Sequence, residues 1–135
     1  MRAYRLPVND FFYKPYSSQL MSAFPFEQQF VDAEAIAWET VGEGVRRKIL
    51  TYDANLMLVV VDFEQGGVGA MHQHYHTQIS YVKSGAFAIT IGNEERVLKA
   101  GDAYYIPPNV LHGAVCHEAG MLVDVFTPMR EDFVS

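Results

Sequence analysis

From Trp38 onward, short apolar runs alternate with Gly, Asn, Asp and Pro breaks. That regular spacing is the pattern of an all-β sandwich or barrel. It predicts strands at 45–52, 55–64, 69–73, 76–83, 86–92, 95–99, 103–106, 111–116 and 120–127. "GNEE" (92–95) and "AGDA" (100–103) supply turn residues between neighbouring strands. No stretch carries an amphipathic helix longer than a few turns, so the pattern is an antiparallel jelly roll. Residues 1–34 read differently. "NDFFYKPYSSQLMSAFPF" (9–26) is aromatic, interrupted by Pro15 and Pro25, and keeps neither a helical nor a strand period. The expectation is an irregular N-terminal arm over 1–34, with room for a short helix and a strand. The arm must bury its Phe and Tyr side chains on its own domain or on a second subunit. A barrel over 35–135 follows it.

Composition narrows the classes. At 135 residues, 50% hydrophobic and 19% charged, the chain is expected to be one globular domain. A net charge of −6 argues against nucleic acid and anionic membranes as partners, though a local cation can still attract a small anion. Cys116 is the single cysteine, so there is neither a disulfide framework nor a Cys-based zinc site. "MRAYRLPVNDFFYK" lacks the apolar core of a secretory signal, and the run "LMLVVV" (56–61) is too short to span a bilayer. A cytoplasmic location is the expectation.

Three of the five histidines stand at alternate positions in "HQHYHTQ" (72–78), followed by a glutamine. Along an unbroken strand His72, His74, His76 and Gln78 would share one face. Four buried polar side chains need partners, and a divalent cation satisfies several imidazoles at once. The plain alternative is a polar strand edge. It would win for one histidine and comes second for three. A second constellation, "GDAYYIPPNVLH" (101–112), turns at Gly101-Asp102, stiffens at Pro107-Pro108 and ends on His112.

Together these stretches resemble the two signature motifs of the cupin superfamily. The first motif falls on Gly66, His72, His74, Gln78 and Gly85, with Gln where the pattern has Glu. The second falls on Gly101, Pro107, Asn109, His112 and Cys116, with Asn109 for Gly and Cys116 for Asn. Asn109 is a mild departure because Asn tolerates the left-handed backbone. The resemblance implies a single-domain cupin (a double-stranded β-helix, or jelly-roll barrel) binding one divalent transition metal ion through His72, His74, Gln78 and His112. His76 lies outside the pattern and is expected to pack or hydrogen-bond beside the site. An amide oxygen cancels none of the cation's charge, which favours Lewis-acid chemistry on an anionic chelating substrate over redox cycling. Neutral N and O donors do not choose among Mn, Fe, Co, Ni, Cu and Zn.

In "MLVDVFTPMREDF" (121–133), Asp124 interrupts an apolar strand, Phe126 shares its face, and Arg130 follows Pro128. A carboxyl in apolar surroundings has its pKa raised, which suits a general acid/base. On spacing alone a structural Asp–Arg pair is equally good. Here the chain from about residue 42 onward resembles the KdgF family, small uronate-linearising cupins of pectin and alginate degradation. "RRKILTYD", "HQHYHTQISYVKSG", "GDAYYIPPNVLHG" and "VDVFTPMREDF" carry the resemblance. It implies catalytic and substrate-binding roles for Asp124, Phe126 and Arg130. It also implies a 4,5-unsaturated monouronate as substrate and a linear 5-keto-4-deoxyuronate as product. Cupins commonly dimerise, so a homodimer is expected.

Arg46 and Lys48 share a strand face, so at most part of the triplet Arg46-Arg47-Lys48 reaches a pocket. One of Tyr104 and Tyr105 faces inward. Trp38 and Cys116 read as packing residues. The competing functions are a metal-dependent dioxygenase or other isomerase, and a non-catalytic sugar-acid-binding cupin. No DNA-binding segment supports a sensor.

Overall fold

The structure is a computed structural model, and it describes residues 24–135. The expected arm of 1–34 therefore lies mostly outside the described residues. Eight strands follow a short 3-10 turn at Ala33–Ala35: β1 Glu39–Gly42, β2 Val45–Tyr52, β3 Met57–Phe63, β4 Val68–His72, β5 Thr77–Ile91, β6 Glu94–Lys99, β7 Ala103–Ile106 and β8 His112–Thr127. A single helical turn, α1 (Glu131–Val134), ends the chain. The strands form one antiparallel β-barrel sheet ordered β1-β2-β3-β8-β5-β6, with β4 also on β8 and β7 also on β5.

β5 and β8 are the spine. β5 pairs with β8 from Thr77↔Thr127 to Ile91↔His112. Sequence patterning splits each of these into two strands, at 76–83/86–92 and 111–116/120–127. The structure corrects this to two continuous strands. Gly85 and Gly120, which look like turn residues, lie where the β5–β8 register shifts between Val82 and Phe87. Such bulges bend a strand without ending it. Gly85 has φ +79, and a Cβ there would sit 2.5 Å from the Glu118 carbonyl oxygen, so only glycine lets the strands pass this closely. β1 is an addition that the patterning misses, joined to β2 by the Glu39↔Arg47 register.

The opposite correction applies at the histidines. β4 stops at His72 and β5 begins at Thr77, so 73–76 are not strand. An unbroken strand does not carry the histidine run.

Alternation fills the interior. Val45, Phe63, Val82, Phe87, Ile89, Cys116 and Leu122 form one apolar cluster, and Ile49, Met57, Val59 and Phe126 form a second. Along β8 the inward positions read Leu122, Asp124, Phe126, and along β5 they read Gln78, Ser80, Val82. A polar band of Gln78, Ser80 and Asp124 thus interrupts the core between the clusters. Residues 26–33 lie along β2, through a parallel bridge of Phe26 with Tyr52 and bonds from Thr51 to the Gln28 carbonyl and from Lys48 to the Ala33 carbonyl. Trp38 packs under Arg46 and Lys48, whose charged ends lie 4.3 and 4.6 Å from its ring centre. These two share a face, as alternation predicts.

Candidate functional site

A cavity of about 220 Å³ opens at the polar band, lined among others by Arg47, His72, Gln78, Tyr104, His112, Asp124, Phe126, Arg130 and Phe133. That is smaller than the roughly 300–1,000 Å³ of pockets for drug-sized ligands.

One wall is imidazole. His72 ends β4, His112 begins β8 and the two are register partners. His74 sits on the short link, held by the Asn109 N–H donating to its carbonyl at 2.7 Å. Asn109 itself has φ +63, the left-handed conformation that the second motif's turn requires. Ring centres of His72–His112, His74–His112 and His72–His74 are 4.3, 4.8 and 5.5 Å apart. One nitrogen from each ring lies within 4.8 Å of the other two.

Each ring is fixed from behind by a backbone carbonyl. His72 Nδ1 bonds the Ala70 oxygen at 2.8 Å, His112 Nδ1 the Val110 oxygen at 2.8 Å, and His74 Nδ1 the His76 oxygen at 3.1 Å. A carbonyl accepts only, so in all three rings Nδ1 carries a proton, and a neutral ring so held presents its lone pair at Nε2. Burial pushes the His112 ring down to about 4, and burial followed by the Arg130 charge lowers His74. Both are therefore neutral at pH 7, the form that can ligate a metal.

Gln78 completes the cluster. Its Nε2 donates to Ser80 Oγ at 2.9 Å, which turns Oε1 toward His74 Nε2 at 3.1 Å. With His74 neutral, those two atoms are both acceptors. Two lone pairs at that distance are favourable only when a cation faces both. His112 Nε2 is buried with no hydrogen-bond partner, and a buried imidazole nitrogen left so is costly. The donor set therefore fits a divalent metal: three imidazole nitrogens with oriented backs and one amide oxygen.

The facing wall is charged. Asp124 is buried and accepts a 2.6 Å bond at Oδ1 from the Ser80 hydroxyl. Burial pushes its carboxyl up to about 6, against the opposing pull of the Ser80 bond and the Arg130 guanidinium. The Asp124–Arg130 pair open on spacing alone is not the direct contact found. Arg130 instead grips Asp132 through Nε at 3.0 Å and a second nitrogen at 2.8 Å. Its guanidinium carbon lies 4.1 Å from the Phe133 ring centre and 5.1 Å from that of Phe126. Phe126 in turn meets His74 edge-on at 5.7 Å.

His76 is turned away. It is buried, stacked on Tyr75 at 4.0 Å, and bonds Glu131 through Nε2 at 2.9 Å. Tyr75 donates to the other Glu131 oxygen at 2.7 Å. These contacts clasp α1 to the barrel mouth. Tyr104 lines the cavity while Tyr105 is exposed, and Cys116 is a buried thiol donating to the Glu118 carbonyl. Sequence reasoning missed Ser80 behind the cavity and left open that Arg47, of the basic triplet, lines it; it also missed Phe133 in the lining and Glu131 in the clasp. Strand parity was a usable signal for the first two, since Ser80 has the parity of Gln78 and Arg47 the opposite parity to Arg46 and Lys48.

Comparison with known proteins places the chain in a family. The cupin domain model matches residues 59–126, a span that includes His72, His74, Gln78, His112, Asp124 and Phe126 but not Arg130. The pectin degradation protein KdgF of Dickeya dadantii (strain 3937) is 46% identical over 107 residues, covering 78% of this chain and 96% of that protein. The structure of KdgF from Halomonas sp. superposes with a TM-score of 0.75 at 40% identity, covering 78% of this chain and 98% of that one. An RmlC-like cupin from Shewanella frigidimarina NCIMB 400 gives a TM-score of 0.77 at 42% identity, covering 79% and 96%. This chain is a cupin and belongs to the KdgF family.

Proposed function

We propose that the protein is a metal-dependent enzyme that linearises 4,5-unsaturated monouronates, the cyclic products of polyuronate cleavage, to 5-keto-4-deoxyuronates. The observation that carries this reading is one small cavity bounded by a neutral donor set, three imidazoles and an amide, and by a buried carboxyl of raised pKa. The likeness to the pectin degradation protein KdgF supports the substrate class. His72, His74, Gln78 and His112 would hold one divalent transition metal ion. When bound, the ion supplies positive charge to a chelating carboxylate and to the ring oxygen.

The chain's own residues account for the proton. The substrate is a cyclic hemiacetal whose ring oxygen is also an enol-ether oxygen beside the carboxylate. Asp124, ionised above about pH 6, takes the proton from the C1 hydroxyl as the C1–O5 bond breaks. C1 becomes an aldehyde and O5 leaves as an enolate. The Asp124 carboxyl, now protonated, returns a proton to C4, and C5 becomes a ketone. Atoms balance, and no electron leaves. Arg130, steered by Asp132, faces the substrate carboxylate, and Phe126 packs the sugar ring. The exposed Ile79 and Tyr105, register partners on β5 and β7, support a homodimer through that face.

The test is to incubate metal-loaded protein with freshly made unsaturated monouronate and follow the alkene proton by NMR. The signal is expected to decay far faster than the spontaneous background, and chelation should remove the excess rate. Decay no faster than background would overturn the reading.

A further inference from the structure

Ser80 is fully buried on β5, between the candidate ligand Gln78 and the carboxyl of Asp124, its register partner on β8. It accepts from Gln78 Nε2 at 2.9 Å and donates to Asp124 Oδ1 at 2.6 Å. We propose that Ser80 is a positioning residue that orients the Gln78 amide and selects the working oxygen of Asp124, so that metal site and proton-handling carboxyl are set by one hydroxyl. This assignment rests on the roles proposed above for Gln78 and Asp124.

The available protons fix these orientations. A serine hydroxyl has one hydrogen and two lone pairs. Asp124, when ionised, only accepts, so the Ser80 hydrogen goes to Oδ1. The Ser80 oxygen then has two lone pairs for donors: the NH2 end of Gln78 fills one, and the protonated Tyr104 hydroxyl, which also bonds Ser80, fills the other. The amide is thereby locked with Oε1 toward the histidines, without reference to any metal. At the other end Oδ1 is occupied, which leaves Oδ2 as the oxygen free to exchange a proton.

The same count explains why an amide stands at position 78. A glutamate there would give Ser80 two anionic acceptors for one hydrogen, and Asp124 would lose its donor. Besides Ser80, the groups facing Asp124 are the Tyr104 hydroxyl from β7 and the Arg130 guanidinium, and its β3 partner Val59 is apolar. Tyr104 is itself kept protonated, by burial first and by the Asp124 charge second. Ser80 is thus the neutral group that joins the two halves of the cavity.

The experiment compares full-length wild type, Ser80→Ala and Ser80→Thr. Nickel(II) affinity is measured by chelator competition, and kcat and KM are followed against pH. Ser80→Ala should weaken nickel binding about tenfold to a hundredfold, the usual effect of removing a group that orients a ligand. It should also lower kcat with KM nearly unchanged, and move the acidic limb of the pH profile upward, because the carboxylate loses a stabilising bond. Ser80→Thr, which keeps the hydroxyl, should restore all three. Folded Ser80→Ala with wild-type nickel affinity and an unmoved limb would overturn the assignment.

Should Ser80→Ala fail to fold, the Gln78 side-chain amide decides the matter in wild type and Ser80→Thr. Its NH2 protons must exchange slowly in both; rapid exchange in either sinks the proposal. If wild type does not linearise the uronate, the functional reading fails, while the nickel titration still decides the role of Ser80.

Discussion

The two walls of the cavity are built in opposite ways. On the imidazole wall each side chain is held by a carbonyl two residues away in sequence: Ala70 for His72, His76 for His74 and Val110 for His112. On the carboxyl wall Asp132 holds the Arg130 guanidinium locally, but the other supports are distant. Asp124 depends on Ser80, 44 residues earlier, and the segment bearing Arg130 is clasped by Tyr75 and His76, 56 and 55 residues before Glu131. The first wall is made of neutral lone pairs aimed at one point. The second is made of a guanidinium and a buried carboxyl whose state changes with pH. Local supports give a rigid donor set, and long-range supports give a wall whose charge and position can be altered one residue at a time.

The sharpest break in that comparison removes the carboxyl and leaves the imidazoles alone. Asp124→Ala should lower kcat by about 10²–10⁴, the range for loss of a general acid/base, with metal content unchanged. Metal analysis alongside the alkene decay checks both halves. Loss of metal together with activity would show that the walls are not separable, and an undiminished rate would remove Asp124 from the chemistry. Asp124→Asn adds a stability signature. A carboxylate that is ionised at pH 7 despite burial destabilises the fold, so the neutral amide should raise Tm while activity falls.

The difference between the walls also explains what was legible in the sequence. His72, His74, Gln78 and His112 could be picked from motif spacing because their supports are encoded within two residues of each ring. The break at 73–76 was not legible, since a polar run at period two looks like a strand whether or not it continues. Asp124 and Phe126 emerged from the alternation of β8. The same alternation on β5 marks Ser80 as inward, but a serine between Ile79 and Tyr81 reads as ordinary strand decoration until its partner is known. Gly85 and Gly120 carry the signals of turns, and only the pairing of β5 with β8 reveals bulges in two long strands. The clasp by Tyr75 and His76 on Glu131 had no local signal at all.

A smaller and graded break comes from pH. Burial raises the Asp124 carboxyl from an ordinary value of 3.8 to about 6, so the base form is lost as pH falls through 6. With metal held saturating and the spontaneous rate subtracted, kcat/KM should fall about tenfold per unit below that point. A profile flat down to pH 5 would exclude a single carboxyl as the base. The stability linkage has the opposite sign from a salt-bridged aspartate. Between about pH 4 and 6 the folded state binds more protons than the unfolded state, so this group's contribution to stability declines as pH rises across that window. A raised pKa of about two units corresponds to about 3 kcal/mol at most. Asp124→Asn should remove that decline in urea melts run across the window.

The smallest expected effect lies at the clasp, and it tests whether long-range support matters to the carboxyl wall. Glu131 is exposed, yet His76 first and Tyr75 second hold its carboxylate down at about 2. It stands next to Arg130, whose guanidinium is already turned by Asp132 and flanked by Phe133. Glu131→Gln keeps the shape and weakens both bonds, so α1 should loosen while the barrel does not. Exposed pairs contribute little to global stability, so Tm should hardly move. KM should rise a few-fold with kcat and metal affinity nearly constant, because the loss would fall on the substrate-carboxylate binding proposed for Arg130. Asp132→Asn, which loosens Arg130 directly, should raise KM further in the same direction. A fall in kcat with KM unchanged would instead place the clasp's influence on Asp124. An unchanged KM in both variants would mean that Arg130 holds its position without the clasp or the Asp132 pair, by its contacts with the Phe126 and Phe133 rings.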